Sequence, residues 1–174
     1  MKKNVWVFGL ISGLIITALM VYSVINCYSN PHFKENEVLG YTGMLVAFSF
    51  IFVGIKNYRD RYNNGIISFG RAFKMGLFIS LLASTFYVAT WLVEYYVFFP
   101  DFMDKYGAHM INRAKADNLS PAAFDKKVAQ VNSMKAWYKN PVMVILITYM
   151  EVLPVGLVIS VISALLLKKK TSAA

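Results

Sequence analysis

Two acidic residues stand in stretches that otherwise carry almost no charge. Glu94 lies in Leu92-Val93-Glu94-Tyr95-Tyr96-Val97, and Glu151 in Ile147-Thr148-Tyr149-Met150-Glu151-Val152-Leu153. An ionised side chain at the centre of an apolar span costs about 2.5–3.5 kcal/mol on insertion scales, so a proton, a partner or an ion has to compensate each one. At about 1.5 Å per residue, Glu94 sits roughly 8 Å below the end of its helix, and Glu151 roughly 13 Å below the same end of its own. Helical side chains lean toward the N-terminus, which in antiparallel helices tilts the two carboxyls toward a common depth. Where they meet, one shared proton relieves their repulsion, and the chemistry expected is that of a proton or cation site. The plainer alternative leaves each carboxyl protonated or hydrogen-bonded to Tyr, Thr, Asn26 or backbone, fixing helix register. Pro154 belongs to the same candidate polar site with Asn26. It lacks an N–H, frees the carbonyl of Met150 and favours a kink beside the acid. Broken helices next to an intramembrane acid are a feature of transporters.

The elements that must position these residues are apolar helices. Of 174 residues, 57% are hydrophobic and only 16% charged, too apolar a composition for a water-soluble domain of this size. A hydrocarbon core about 30 Å thick takes about 20 apolar residues to cross. Four stretches qualify, at about 5–28, 38–55, 75–99 and 142–167. The expected fold is all-α: a single integral membrane domain over 1–174, a four-helix transmembrane bundle with an outward-facing helical hairpin, 100–141, between spans 3 and 4. The first span opens with Lys2 and Lys3 like a signal peptide. Its charge-free run from Val5 to Cys27 is longer than the 7–15 residues of a signal core, so a retained span is expected. In the hairpin, Phe102, Tyr106 and Met110 recur every fourth residue until Asn118 stops the pattern. Ser120-Pro121 then supplies an N-cap and an N1 proline, and Phe124, Val128, Val131 and Tyr138 form the next stripe. The hairpin is expected to cover the ends of the bundle.

Charge sets the orientation. A net charge of +9 suggests nucleic acid until its placement is read. Lys2, Lys3, Lys56, Arg59, Arg61, Arg71, Lys74 and Lys168 to Lys170 all lie at span ends. Alternating the spans puts these ten on one side with a single acid, Asp60, while the other side carries eight basic residues and six acids. The cation-rich side is expected to be the cytoplasm, with both termini there and no nucleic acid as partner. Lys56, Arg59, Arg61, Arg71 and Lys74 form a candidate cytoplasmic anchor. The connection that holds them contains the turn Asn63-Asn64-Gly65 and the apolar residues Ile66, Ile67 and Phe69, and is expected to lie along the membrane surface against anionic head groups. Trp6, Tyr28, Tyr41, Tyr95, Tyr96, Trp137 and Tyr138 fall near the expected interfaces.

Small residues recur at four-residue spacing in Gly76, Ser80 and Ser84, and again in Gly156, Ser160 and Ala164, as they do where helices approach closely. Such stripes serve either the bundle itself or a face for a second copy or another membrane protein. Gly9 and Gly13 repeat the pattern in the first span. Cys27 is the sole cysteine, so no intramolecular disulfide forms. His32 and His109 are isolated, expected at the surface, with no metal-ligand spacing around them. No phosphate loop, nucleophile elbow or zinc-protease motif occurs in the chain, and neither a cofactor nor a metal is called for.

The strings Gly54-Ile-Lys-Asn-Tyr-Arg-Asp60 and Ser68-Phe-Gly-Arg-Ala-Phe-Lys-Met-Gly76 carry a resemblance. Tyr87 to Trp91, Tyr138-Lys-Asn-Pro141, and Glu151 with Pro154-Val-Gly156 extend it over most of the chain. The sequence resembles the bacterial four-span membrane family catalogued as domain of unknown function 4199. That resemblance implies a small protein of the bacterial inner membrane and carries over no catalytic residues. The function expected is that of a non-enzymatic structural or accessory component of the envelope, whose partners are the lipid bilayer and a second copy or another membrane protein. The alternative is a small proton- or cation-coupled transporter or channel working through Glu94 and Glu151.

Overall fold

A computed structural model describes residues 1–30, 37–117 and 119–169. Four long helices, α1 (Lys2–Ser29), α2 (Glu37–Tyr62), α3 (Phe69–Val93) and α6 (Pro141–Leu167), are long and apolar enough to cross a membrane. Between α3 and α6 come α4 (Phe102–Ala116) and α5 (Pro121–Tyr138), the expected hairpin. Among the described residues the only non-helical pairing is an isolated antiparallel bridge between Ile67 and Lys169. The connection expected around Pro31 and His32, the helix stop at Asn118, and Lys170 lie outside the described residues.

The helices begin and end where local chemistry says they should. Ser68 Oγ accepts from the backbone N–H of Arg71 at the start of α3, and Ser120 Oγ does the same for Ala123 ahead of Pro121. Asn140 Oδ1 accepts from Val142 N, with Pro141 as the first helical residue of α6. Both ends of the α2–α3 connection are more helical than apolar length alone implies. α2 continues past residue 55 to Tyr62, and α3 starts at Phe69, ahead of residue 75. Lysine and arginine are good helix formers, so the cations extend these helices beyond the apolar core instead of ending them. Asn64 and Gly65 then reverse the chain with φ of 50° and 73°, backbone that asparagine and glycine tolerate best.

One expectation about this connection is corrected. Ile67 does not lie on the membrane surface: it is fully buried in the main hydrophobic cluster with Ile55, Ala72 and Leu167. Its backbone exchanges two hydrogen bonds with Lys169, of 3.1 and 2.9 Å. Those bonds satisfy the polar backbone that burial of Ile67 would otherwise orphan, and they tie the end of α6 to the α2–α3 turn.

Packing among the four long helices runs through small residues. A Cβ added to Gly76 would stand 2.7 Å from both Cβ and Oγ of Ser160, and one added to Gly156 would stand 2.8 Å from Ser80 Oγ. Ser80 Oγ and Ser160 Oγ lie 3.1 Å apart and hydrogen-bond across the seam. The two stripes therefore interlock α3 with α6 inside one chain. Gly9 and Gly13 of α1 meet Leu82 and Phe86 of α3 in the same way. Ser12 Oγ donates to Ala47 O over 2.9 Å, joining α1 to α2. At the end that carries the termini, buried Asn4 donates to Asn57 Oδ1 at 2.9 Å and to Gly54 O at 3.4 Å.

Candidate functional site

Pro100 removes a backbone N–H and restricts the residue before it, so α3 cannot continue. Its last turn widens into a π-helical segment, Glu94–Phe98, closed by Phe99 N donating to Glu94 O at 2.8 Å. The wider turn leaves the consecutive residues Glu94 and Tyr95 both buried, at 5% and 8% exposure. Tyr95 packs edge-on against Tyr96 and Tyr138, with ring centroids 4.9 and 5.2 Å away.

The hairpin is fastened to this end of the bundle by aromatic and ionic contacts. Trp91 meets Phe102 edge-on at 5.1 Å. Tyr96 Oη donates to the Tyr138 carbonyl at 3.3 Å. Tyr28, at the end of α1, donates a 2.6 Å hydrogen bond to Asp101, and Lys105 lies 3.1 Å from the same carboxyl and 3.8 Å from the centre of the Tyr28 ring. The Tyr28 hydroxyl and then Lys105 hold the Asp101 carboxyl below the usual carboxylate range, while the Tyr28 contact and Asp101 raise the Lys105 ammonium. Within the hairpin, Gly107 lets α5 approach so closely that a Cβ there would sit 2.8 Å from Val131 Cγ1, and Lys135 pairs with Asp104 at 2.8 Å. The buried face of α4 is Met103, Gly107 and Ala114, with Phe102, Tyr106 and Met110 half-buried beside it.

Between the hairpin and the bundle lies a cavity of about 860 Å³. All six helices contribute to it, α6 through Ile147, Thr148 and Glu151. Glu151 is exposed, and the cavity is the space it lines. Tyr87 and Trp91 of α3 and Trp137 and Tyr138 of α5 line the same space. Tyr87 and Tyr138 are both close enough to Glu151 to interact with it electrostatically. Burial, with the Glu151 charge second, pushes the Tyr138 phenol up to about 12, against a lowering hydrogen bond from the Trp91 indole. Tyr138 is therefore a neutral hydroxyl across the physiological range.

The four members of the candidate polar site are not gathered into one wall. Glu151 lines the cavity, whereas Glu94, Pro154 and Asn26 do not. Glu94 Oε2 is buried with no hydrogen-bond partner among the described residues. Asn26 is exposed and spends its amide on the Tyr22 carbonyl of its own helix, 2.9 Å away. Pro154 sits inside α6 with an exposed side chain. Tyr87 lies within electrostatic reach of both carboxyls.

The basic cluster divides. Arg59 grips Asp60 with two hydrogen bonds, 2.6 and 3.1 Å, and donates a third, 3.3 Å, to the carbonyl of Leu167. That carbonyl is one of the orphans at the C-terminal end of α6, where a cation is favoured by the helix dipole. Arg71 donates to Asn63 Oδ1 at 3.4 Å across the turn. Lys56, Arg61 and Lys74 are exposed, Lys74 with its ammonium 6.0 Å from the Phe78 ring.

Tyr87, Trp91, Tyr106 and Thr148 had no place among the candidate site residues read from sequence. The available signal was the crowding of rings at one end of the chain's apolar segments, with Thr148 one turn ahead of Glu151.

Four spans closed at one end by an aromatic hairpin over a carboxylate-bearing cavity define a polytopic α-helical membrane protein. Within that class, the chain belongs to the family described as protein of unknown function DUF4199, whose profile matches residues 7–169. No curated protein and no solved structure matches the chain.

Proposed function

We propose that this protein is a non-enzymatic structural or accessory component of a bacterial envelope, seated in the inner membrane with both termini in the cytoplasm. One observation supports this reading above others: the hairpin caps the bundle, joined to it by the Tyr28–Asp101–Lys105 cluster and the rings of Trp91, Tyr95, Phe102 and Tyr138. A cap on one membrane face, with exposed Lys56, Arg61 and Lys74 near the other, suits a protein that presents a surface to other envelope components. The bacterial setting is part of the proposal, and the excess of cations at the span ends near the first and last helix termini supports the orientation.

Two measurements test it. A cytoplasm-dependent reporter fused after Lys170 is active, and mild-detergent purification brings down a membrane protein partner or a second copy. A reporter active only outside overturns the orientation, and a chain that purifies alone as a monomer overturns the accessory role. A second reading, a small proton- or cation-coupled transporter, draws support from Glu151 lining a cavity. It requires pH-dependent ion flux in liposomes that Glu151→Gln abolishes.

A further inference from the structure

Glu151 is the one acidic residue on the cavity wall, and no Lys, Arg or His accompanies it there among the described residues. The surroundings are aromatic and apolar. Tyr87 and Trp91 come from α3, Tyr106 from α4, and Trp137 and Tyr138 from α5, with methionines of α1, α2, α4 and α5 filling the rest. An anionic group among rings attracts a cation twice over, through its own charge and through the negative quadrupole of each ring face. Methionine is flexible and polarisable, and adapts to apolar bodies of varied shape. About 860 Å³ falls in the range of roughly 300–1,000 Å³ typical of pockets for small organic ligands. An inorganic cation is poorly served, because hard ions require about six oxygen ligands. Among the described residues no group of three His, Cys, Asp or Glu side chains stands close enough to hold a metal.

We infer that this cavity binds a lipophilic organic cation, a quaternary ammonium or protonated amine on a hydrophobic body, with Glu151 as counter-charge and Tyr87, Trp91 and Tyr138 as ring partners. The site does not depend on which way the protein faces in the membrane or on the accessory role proposed above. Thr148 and the neutral hydroxyl of Tyr138 offer hydrogen bonds to an amine N–H. A quaternary ammonium makes none and relies on charge and rings alone.

The test uses the full chain purified in mild detergent and two probes of matched shape and opposite charge, tetraphenylphosphonium and tetraphenylborate, measured by equilibrium dialysis. The cation is expected to bind saturably and at least ten-fold more tightly than the anion. Glu151→Gln is expected to lower cation affinity ten-fold or more while leaving the anion unchanged, and Glu94→Gln, outside the cavity wall, to change neither. Cation binding should also alter tryptophan fluorescence through Trp91 and Trp137, with the response lost when both are changed to Phe, because Trp6 stands at the opposite end of α1. Equal affinity for the two probes, no saturable cation binding, or cation affinity indifferent to Glu151→Gln each overturns the assignment. If Glu151→Gln does not fold, the charge preference of the unmodified chain and of Glu151→Asp still decides it.

Discussion

Replacing Gly156 by alanine isolates the close approach between α3 and α6. The added Cβ would lie 2.8 Å from Ser80 Oγ, 2.9 Å from Ser80 Cβ and 3.1 Å from Phe48 Cε1. At Gly9 the nearest atom, Leu82 Cδ2 at 2.6 Å, is the end of a flexible side chain that can rotate aside. Ser80 Cβ is bonded to the backbone, so relief at Gly156 requires the helices themselves to separate. Overpacking of this kind costs about 1–3 kcal/mol, but alanine also gains up to about 1 kcal/mol of helix propensity over glycine. Gly40→Ala provides the reference, since a Cβ there meets nothing within 4 Å. Subtracting its effect leaves a steric penalty of about 1–3 kcal/mol for Gly156→Ala, read as the difference in unfolding free energy in mixed micelles titrated with a denaturing detergent. A complementary pair sharpens the logic. Gly76→Ala collides with Ser160, 2.7 Å away, and adding Ser160→Gly removes that atom, so the double variant should recover to within about 1 kcal/mol, the loss of the Ser80–Ser160 hydrogen bond being worth about 0.6. Equal stability of Gly156→Ala and Gly40→Ala, or no recovery in the double variant, would show that the seam is not the contact described.

Other perturbations probe separate parts of the molecule. Ser12→Ala removes the buried bond to Ala47 O and should cost about 0.6 kcal/mol, at most about 1.7, in the same unfolding assay; a gain in stability refutes the role of that bond. Glu94→Leu replaces a buried carboxyl whose Oε2 has no partner among the described residues, so stability should hold or rise, and a loss beyond about 2 kcal/mol means that a partner holds the carboxyl. Asp101 has a lowered carboxyl pKa, so its stabilisation of the hairpin joint is present above the unfolded value of about 3.9 and is lost as pH falls through the lower folded value. Tyr28→Phe removes the largest cause of that lowering, and an NMR titration should show Asp101 moving up toward 3.9. An unmoved Asp101 would assign the effect to Lys105 alone.

Hydropathy made the spans readable, and Ser120-Pro121 the start of α5, because both are local signals; the caps Ser68 and Asn140 show themselves only in the structure. Ile67 was misplaced for the opposite reason. Its burial depends on Lys169, 102 positions away along the chain, which supplies the backbone bonds that make a buried turn tolerable. Small-residue stripes announced close packing without naming the partner, and only the facing positions of Gly76 with Ser160 and Gly156 with Ser80 distinguish an internal seam from a dimer face. The basic cluster was legible as charge, yet Arg59 proves to cap the end of α6, a role that depends on where Leu167 arrives.

The two intramembrane acids show where local reading stops. Each was conspicuous for the same reason, charge in an apolar run, and depth arithmetic treated them alike. The fold separates them through events far from either. α3, stopped by Pro100, widens in its last turn and buries Glu94 there, while α6 turns Glu151, with Ile147 and Thr148, onto the cavity wall. One acid is thus a buried group whose protonation concerns packing, and the other faces enough space to meet a ligand. Exchanging the environments tests that division. Glu94→Gln should leave ligand binding alone and act only on stability, while Glu151→Gln should do the reverse. Two variants with the same phenotype in both measurements would mean that the acids act as one site.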